Sequence, residues 1–236
     1  MKQNYKLVFY ENFDNLDNWN FNIGSGLKNL WGNHEQEFYT NRKENIYIKN
    51  NKLYIIARKE NYEDCNYTSA RITTKDKKYF KYGYIEISAK LPIGKGSWPA
   101  LWMMGQNGIW PIGGEIDIME HIGINQDMIY HTIHSKNHIC QPYFSYKEII
   151  NDASKDFHKY GMLWEENYIE FFVDDISYGK ITNNMYIQKE DWPFNNYFYF
   201  IINLAVGGDF AGNIVDEDLP FIFVVDYIKV YQKDNR

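Results

Sequence analysis

The sequence predicts an all-β fold, a sandwich of two antiparallel sheets, on three observations. Short runs of β-branched and aromatic residues recur along the whole chain. Apolar residues at helical spacing are nearly absent. Gly and Asn gather between the runs, as at Gly24-Ser25-Gly26, Gly94-Lys95-Gly96, Gly113-Gly114 and Gly207-Gly208. At 236 residues a two-sheet sandwich is favoured over a closed barrel. Without a linker, a repeat of fixed period or a charge block, residues 1–236 are expected to form one domain with a well-buried core.

In chain order, residues 53–57 form a continuous apolar run and 82–90 alternate apolar with polar side chains; both read as strands. Residues 116–119 and 129–133 follow, each rich in Ile. Residues 157–173 read as a hairpin, two aromatic strands separated by the polar break Glu165-Glu166-Asn167, and Asp174-Asp175 offers the next turn. The clearest late strands are 199–205 and 223–231.

Composition narrows the function. A net charge of −6 argues against wrapping a nucleic acid, which needs a basic surface. No apolar run reaches membrane-spanning length. The N-terminus does not read as a signal peptide, since no apolar core follows its lysines. The two cysteines, Cys65 and Cys140, lie far apart with no ligand at metal-binding spacing, which excludes a disulfide scaffold and argues against zinc. They could form one bridge, which spacing alone does not decide. Aromatic residues reach 18%, with 21 Tyr, 15 Phe and 7 Trp. Asn, Ile, Lys and Tyr are abundant everywhere, so much of the Tyr excess follows compositional bias and Trp is the better probe.

The most informative stretch runs from Trp110 to His121 and contains Glu115, Asp117 and Glu120, separated only by apolar residues. On a regular strand Glu115 and Asp117 share one face while Ile116 and Ile118 point to the core. Glu120 has the wrong parity, and a β-bulge near Met119 would restore it to the face of the other two. Three carboxyls so close push at least one pKa upward, leaving one protonated beside another that is ionised. Retaining glycoside hydrolysis requires such a pair about 5 Å apart. Asp117, shorter and between the two Glu, suits a supporting role. A solvated acidic face, or a calcium site built from the same oxygens, is the alternative. Trp98, Trp102 and Trp110 crowd the same region. Indole rings stack on the apolar faces of sugars, and a neutral polysaccharide needs no basic patch; core packing is the plainer reading of each Trp alone.

These residues belong to a longer ordered set. It comprises 9–13, Trp31-Gly32-Asn33-His34-Glu35, Thr68-Ser69-Ala70-Arg71, 82–86, Leu91-Pro92, 94–102, 114–120, Thr132-Ile133-His134, Phe157-His158, Trp192-Pro193-Phe194, 203–208 and Val225-Asp226-Tyr227. In this order they resemble glycoside hydrolase family 16, and within it the laminarinase-like endo-β-1,3-glucanases. The resemblance implies a β-jelly-roll sandwich whose concave sheet carries a cleft for a polysaccharide. It implies Glu115 as nucleophile, Asp117 as its assistant and Glu120 as general acid/base. The inserted Met119 looks like the laminarinase branch and unlike the lichenase and xyloglucan-transglycosylase branches. Positions matching Trp98, Trp102 and Trp110 line glucose subsites, those matching Asn33 and Arg71 hydrogen-bond sugar hydroxyls, and that matching His134 lies on the acceptor side. Glu35 falls in the same region. Arg71 as a plain surface ion pair and His134 as a satisfied wall residue stand as the bland readings. After Gly207-Gly208, where the family often has Trp, this chain has Asp209-Phe210.

The chemistry is expected to need no cofactor. The resemblance does imply a structural calcium on the convex side, held by carbonyls near the first strand, at Glu11, and at Asn51, and by the Asp226 carboxylate, with Asn51 standing where Gly is usual. An outward-facing strand residue is the alternative for Asp226. The expected partner is a β-glucan, with no nucleic acid or membrane, and the expected state is a monomer. Family habit favours an extracellular setting, while the leaderless start favours a trimmed sequence or an internal enzyme. A mixed-linkage β-1,3-1,4-glucanase and a non-catalytic glucan-binding module remain as alternatives; relatives of the second kind lack the catalytic acids, which are all present here.

Overall fold

The structure is a computed structural model describing residues 4–28, 31–107, 109–137, 145–185 and 191–234. In chain order its strands are β1 (Tyr5–Glu11), β2 (Asn20–Asn22), β3 (Gly24–Ser25), β4 (Glu37–Tyr39), β5 (Ile46–Lys49), β6 (Lys52–Tyr62), β7 (Cys65–Ser69), β8 (Arg71–Thr73) and β9 (Gly83–Lys90). Then follow β10 (Ser97–Gly105), β11 (Glu115–His121), β12 (Met128–His134), β13 (Ser145–Ile149), β14 (His158–Glu165), β15 (Tyr168–Val173), β16 (Ile176–Thr182), β17 (Phe198–Val206) and β18 (Phe221–Lys233). They make a β-jelly-roll sandwich of two sheets. The 11-stranded sheet runs β16-β15-β14-β9-β18-β6-β7-β4-β3, with β1 on β18 and β5 on β6. The 7-stranded sheet runs β13-β12-β11-β10-β17-β8-β2. Every pairing is antiparallel except β4 with β7.

Turn chemistry sets the hairpins. Lys49 pairs with Lys52 across Asn50 and Asn51, at φ 53° and 54°. Val173 pairs with Ile176 across Asp174 and Asp175, at φ 49° and 69°. Two-residue hairpins of matching twist need positive φ at both central residues, a conformation Asn and Asp tolerate better than other side chains. Asn51 therefore stands in place of a glycine without breaking the turn.

Alternation then fills the space between the sheets. Ile85 and Ile87 of β9, with Tyr160, Met162 and Trp164 of β14, face Leu101 and Met103 of β10, Ile116 and Ile118 of β11, and Ile202 and Leu204 of β17. Burying each such side chain fully contributes about 1.5–3 kcal/mol. Trp164 is wholly buried, and its indole N–H donates to Phe194 O at 2.9 Å. The other parity of β10, β11, β12 and β17 is left to line the concave outer face. Cys65 is buried beside Ser25, their Sγ and Oγ 3.2 Å apart; Cys140 lies outside the described residues.

Candidate active site

The bulge that sequence parity demands lies in β11. Asp117 pairs with Thr132 and Glu120 with Tyr130, so three steps along β11 match two along β12. Ile118 and Met119 are both buried in the core, and Glu120 returns to the face of Glu115 and Asp117. All three acids line one cavity of about 920 Å³.

Neighbouring strands supply its walls. Trp98 and Trp102 of β10, Tyr130, Thr132 and His134 of β12, Asn203 of β17 and Arg71 of β8 face into the cavity, and Asn33, Glu35 and Trp110 close over it from loops. Every catalytic and sugar-binding position expected from the sequence therefore lines the same cleft. Trp31, Tyr130 and Asn203 line it as well, though sequence reasoning did not single them out as site residues. Tyr130 was recoverable, since it shares the parity of Thr132 and His134 along β12. Phe210 also lines the cleft and packs edge-on against Trp98 at 5.2 Å and Tyr130 at 5.1 Å.

The three acids are shifted alike, through different neighbours. Burial and mutual repulsion push Glu115 and Glu120 up to about 8, and burial pushes Asp117 to about 8. Opposing these effects, His134 and Arg71 draw Glu115 downward. His134 Nε2 lies 3.1 Å from Asp117 Oδ2 and 3.8 Å from Glu115 Oε1. Glu120 is stabilised as the anion by His134 and by the Trp98 indole N–H, which donates to Oε1 at 3.0 Å. All three therefore hold a proton far above the ordinary carboxyl range, and the Arg71 guanidinium works toward the anion at Glu115.

Beside the acids a relay orders the aromatic wall. Trp102 Nε1 donates to Asn203 Oδ1 at 2.8 Å, Asn203 Nδ2 to Tyr39 Oη at 3.1 Å, and Tyr39 Oη to Glu35 Oε2 at 3.1 Å. The Arg71 guanidinium sits between the Trp31 and Trp102 rings, 4.8 and 4.9 Å from their centroids. Such cation–π contacts fix both rings.

The residues that the resemblance assigns to calcium lie on the 11-stranded sheet. The Glu11 carboxylate is buried and accepts hydrogen bonds from Phe13 N, Asn18 Nδ2 and Trp19 Nε1, each at 3.0 Å. Asp226 is engaged by the Lys52 ammonium, next in sequence to Asn51. A calcium there would have to displace that lysine. The expected ligands at Glu11 and Asn51 are backbone carbonyls, so the fit turns on the Asp226 carboxylate, which this arrangement gives to Lys52. His134, Asp117 and Glu115 also offer atoms within 4.8 Å of one another, but they are the cleft's own acid–base groups.

Residues 29–217 match the profile described as Glycosyl hydrolases family 16. The chain belongs to this family. A beta-glucanase of Rhodothermus marinus is 38% identical to this family 16 chain over 247 residues, covering 97% of the chain and 85% of the relative. Among solved structures, the laminarinase of Flavobacterium sp. UMI-01 superposes with a TM-score of 0.88 at 42% identity, covering 96% of this chain and 100% of that one. The laminarinase catalytic domain of Thermotoga maritima gives 0.91 at 38% identity, covering 99% and 100%.

Proposed function

We propose that this glycoside hydrolase is a retaining endo-β-1,3-glucanase that cuts internal bonds of laminarin-type β-glucans by double displacement. The observation that carries the reading is the bulge-aligned set Glu115, Asp117 and Glu120 on the floor of a cleft walled by Trp98, Trp102 and Trp110. Similarity to laminarinases supports the linkage.

In the first step Glu120 protonates the glycosidic oxygen while a Glu115 oxygen attacks the anomeric carbon, breaking the bond and forming a glycosyl ester. In the second, Glu120 takes a proton from water, which attacks the same carbon and releases Glu115. Asp117, beside Glu115 and against His134, holds the nucleophile in place and shares in its proton balance. Carboxyl groups carry both steps, with no cofactor. Trp98 and Phe210 build one stacking wall and Trp102, held by Asn203, the other.

A sugar-release screen over laminarin, lichenan and barley glucan, with oligosaccharide sizing, tests the reading. Laminarin is expected to yield short oligosaccharides from internal cuts. Release from the mixed-linkage glucans alone would assign a β-1,3-1,4-glucanase. Laminarin binding without new reducing ends would assign a binding module.

A further inference from the structure

A bulge leaves backbone groups without ladder partners, and a buried carbonyl left unpaired costs free energy. In β11 the residue left over is Ile118: on the β10 side Leu101 pairs with Met119 and Trp102 with Asp117, which skips it. On the β12 side His131 alone stands opposite Ile118 and Met119.

The His131 side chain points to the core and is wholly buried. Its Nδ1 lies 2.6 Å from Ile118 O. A carbonyl only accepts, so Nδ1 carries the proton and Nε2 is a bare acceptor, for which no donor is present among the described residues. The ring stacks on Phe171 of the opposite sheet, 5.1 Å between centroids and 13° between planes. Burial pushes the imidazole down to about 4, so it is neutral where the enzyme would work.

An idle buried nitrogen is a cost that Phe or Leu would not carry at the same position. The N–H to Ile118 is what offsets it. We propose that His131 is a positioning residue for the reaction: its Nδ1–H satisfies the Ile118 carbonyl and so holds the bulge that presents Glu120 to the cleft. The inference rests on the reading of Glu120 as acid/base.

His131→Phe keeps the ring and its stacking on Phe171 but removes the donor; His131→Asn places an amide N–H near the former Nδ1. Turnover is read on laminarin and on a 2,4-dinitrophenyl β-laminaribioside, whose leaving group needs no proton. The Phe variant is expected to lose about tenfold or more in kcat on laminarin with KM changed by less than about twofold. Its first-turnover burst of dinitrophenolate is expected to persist, and the Asn variant to recover most of the laminarin turnover. Unchanged kcat in the Phe variant, or equal loss of the laminarin turnover and the burst, overturns the proposal. Nitrogen-resolved NMR of the unmutated protein adds a test independent of variant folding: the Nδ1–H tautomer of His131 is expected, and an Nε2–H tautomer or imidazolium at neutral pH overturns it. Glu120→Ala separates the two readings. If that variant keeps laminarin turnover, the role of Glu120 fails; if it loses turnover yet keeps the burst, that role stands and the His131 variants decide the rest.

Discussion

The indole N–H of Trp98 donates to Glu120 Oε1 at 3.0 Å, so the ring that walls the cleft also touches its acid. The bond stabilises the carboxylate and therefore lowers a pKa that burial has raised. In Trp98→Phe the carboxyl should hold its proton to higher pH. A pH–rate profile is expected to show the basic limb moved upward by about half a unit to one unit, in line with one hydrogen bond to a charged group. An unmoved or lowered limb would contradict the assignment of Glu120 as the acid.

Glu115→Gln keeps the shape of the nucleophile and removes its charge. Hydrolysis of laminarin is expected to fall by at least about 10³-fold while calorimetric binding of laminari-oligosaccharides persists. Near-normal turnover would remove Glu115 from the mechanism.

Stability should depend on pH through the same acids. Their folded pKa values near 8 exceed the ordinary carboxyl values of 3.8 and 4.5. Between those limits the folded state binds more protons than the unfolded state, so stability falls as pH rises and is greatest below the ordinary values. Asp117→Asn removes one of the three charges. It is expected to raise the melting temperature at pH 8 by a few degrees, about 2–6 °C, relative to its effect at pH 5, while activity drops. Equal shifts at both pH values would show that Asp117 is not strained by burial.

Asn203→Ala takes the acceptor from Trp102 and the donor from Tyr39. Losing a pair of buried partners costs about 1–3 kcal/mol, so kcat/KM should fall about tenfold, chiefly through KM. A loss confined to kcat would place Asn203 at the reacting centre.

Calcium removal should do little, because Lys52 supplies the cation at Asp226. A chelator is expected to leave the melting temperature within about 1 °C, and added calcium to raise it no further. A drop of several degrees on chelation would mean that the ion displaces Lys52.

Much of this site was legible in the sequence because strand geometry reduces to counting. Glu115 and Asp117 agree in parity, Glu120 does not, and only an inserted residue reconciles them; the burial of both Ile118 and Met119 is that insertion. The hairpin at 157–173 and the turn at Asp174-Asp175 were readable for the same reason. His131 was not, since a histidine in a β-rich run carries no mark of whether its ring meets water, a core or a carbonyl. Asn203 was recognised as part of a family motif but not as a link between Trp102 and Tyr39, a relation that needs three strands in space. The Lys52 contact at Asp226 is not legible in the sequence, because that lysine lies on another strand, in the hairpin partner of β5.

The acids stand on β11, one strand from the middle of the seven-stranded sheet, between β10 and β12 and over the buried cluster of both layers. Away from the bulge at Ile118 and Met119, β11 is paired on both sides, whereas Trp31, Asn33 and Phe210 belong to loops or to a single helical turn. Hydrogen exchange should therefore divide the cleft, slowest beneath Glu115 and Asp117 and fastest at the rim. The chemistry rides on the part of the molecule that opens last, and accommodation of different glucan ends is left to segments that open first.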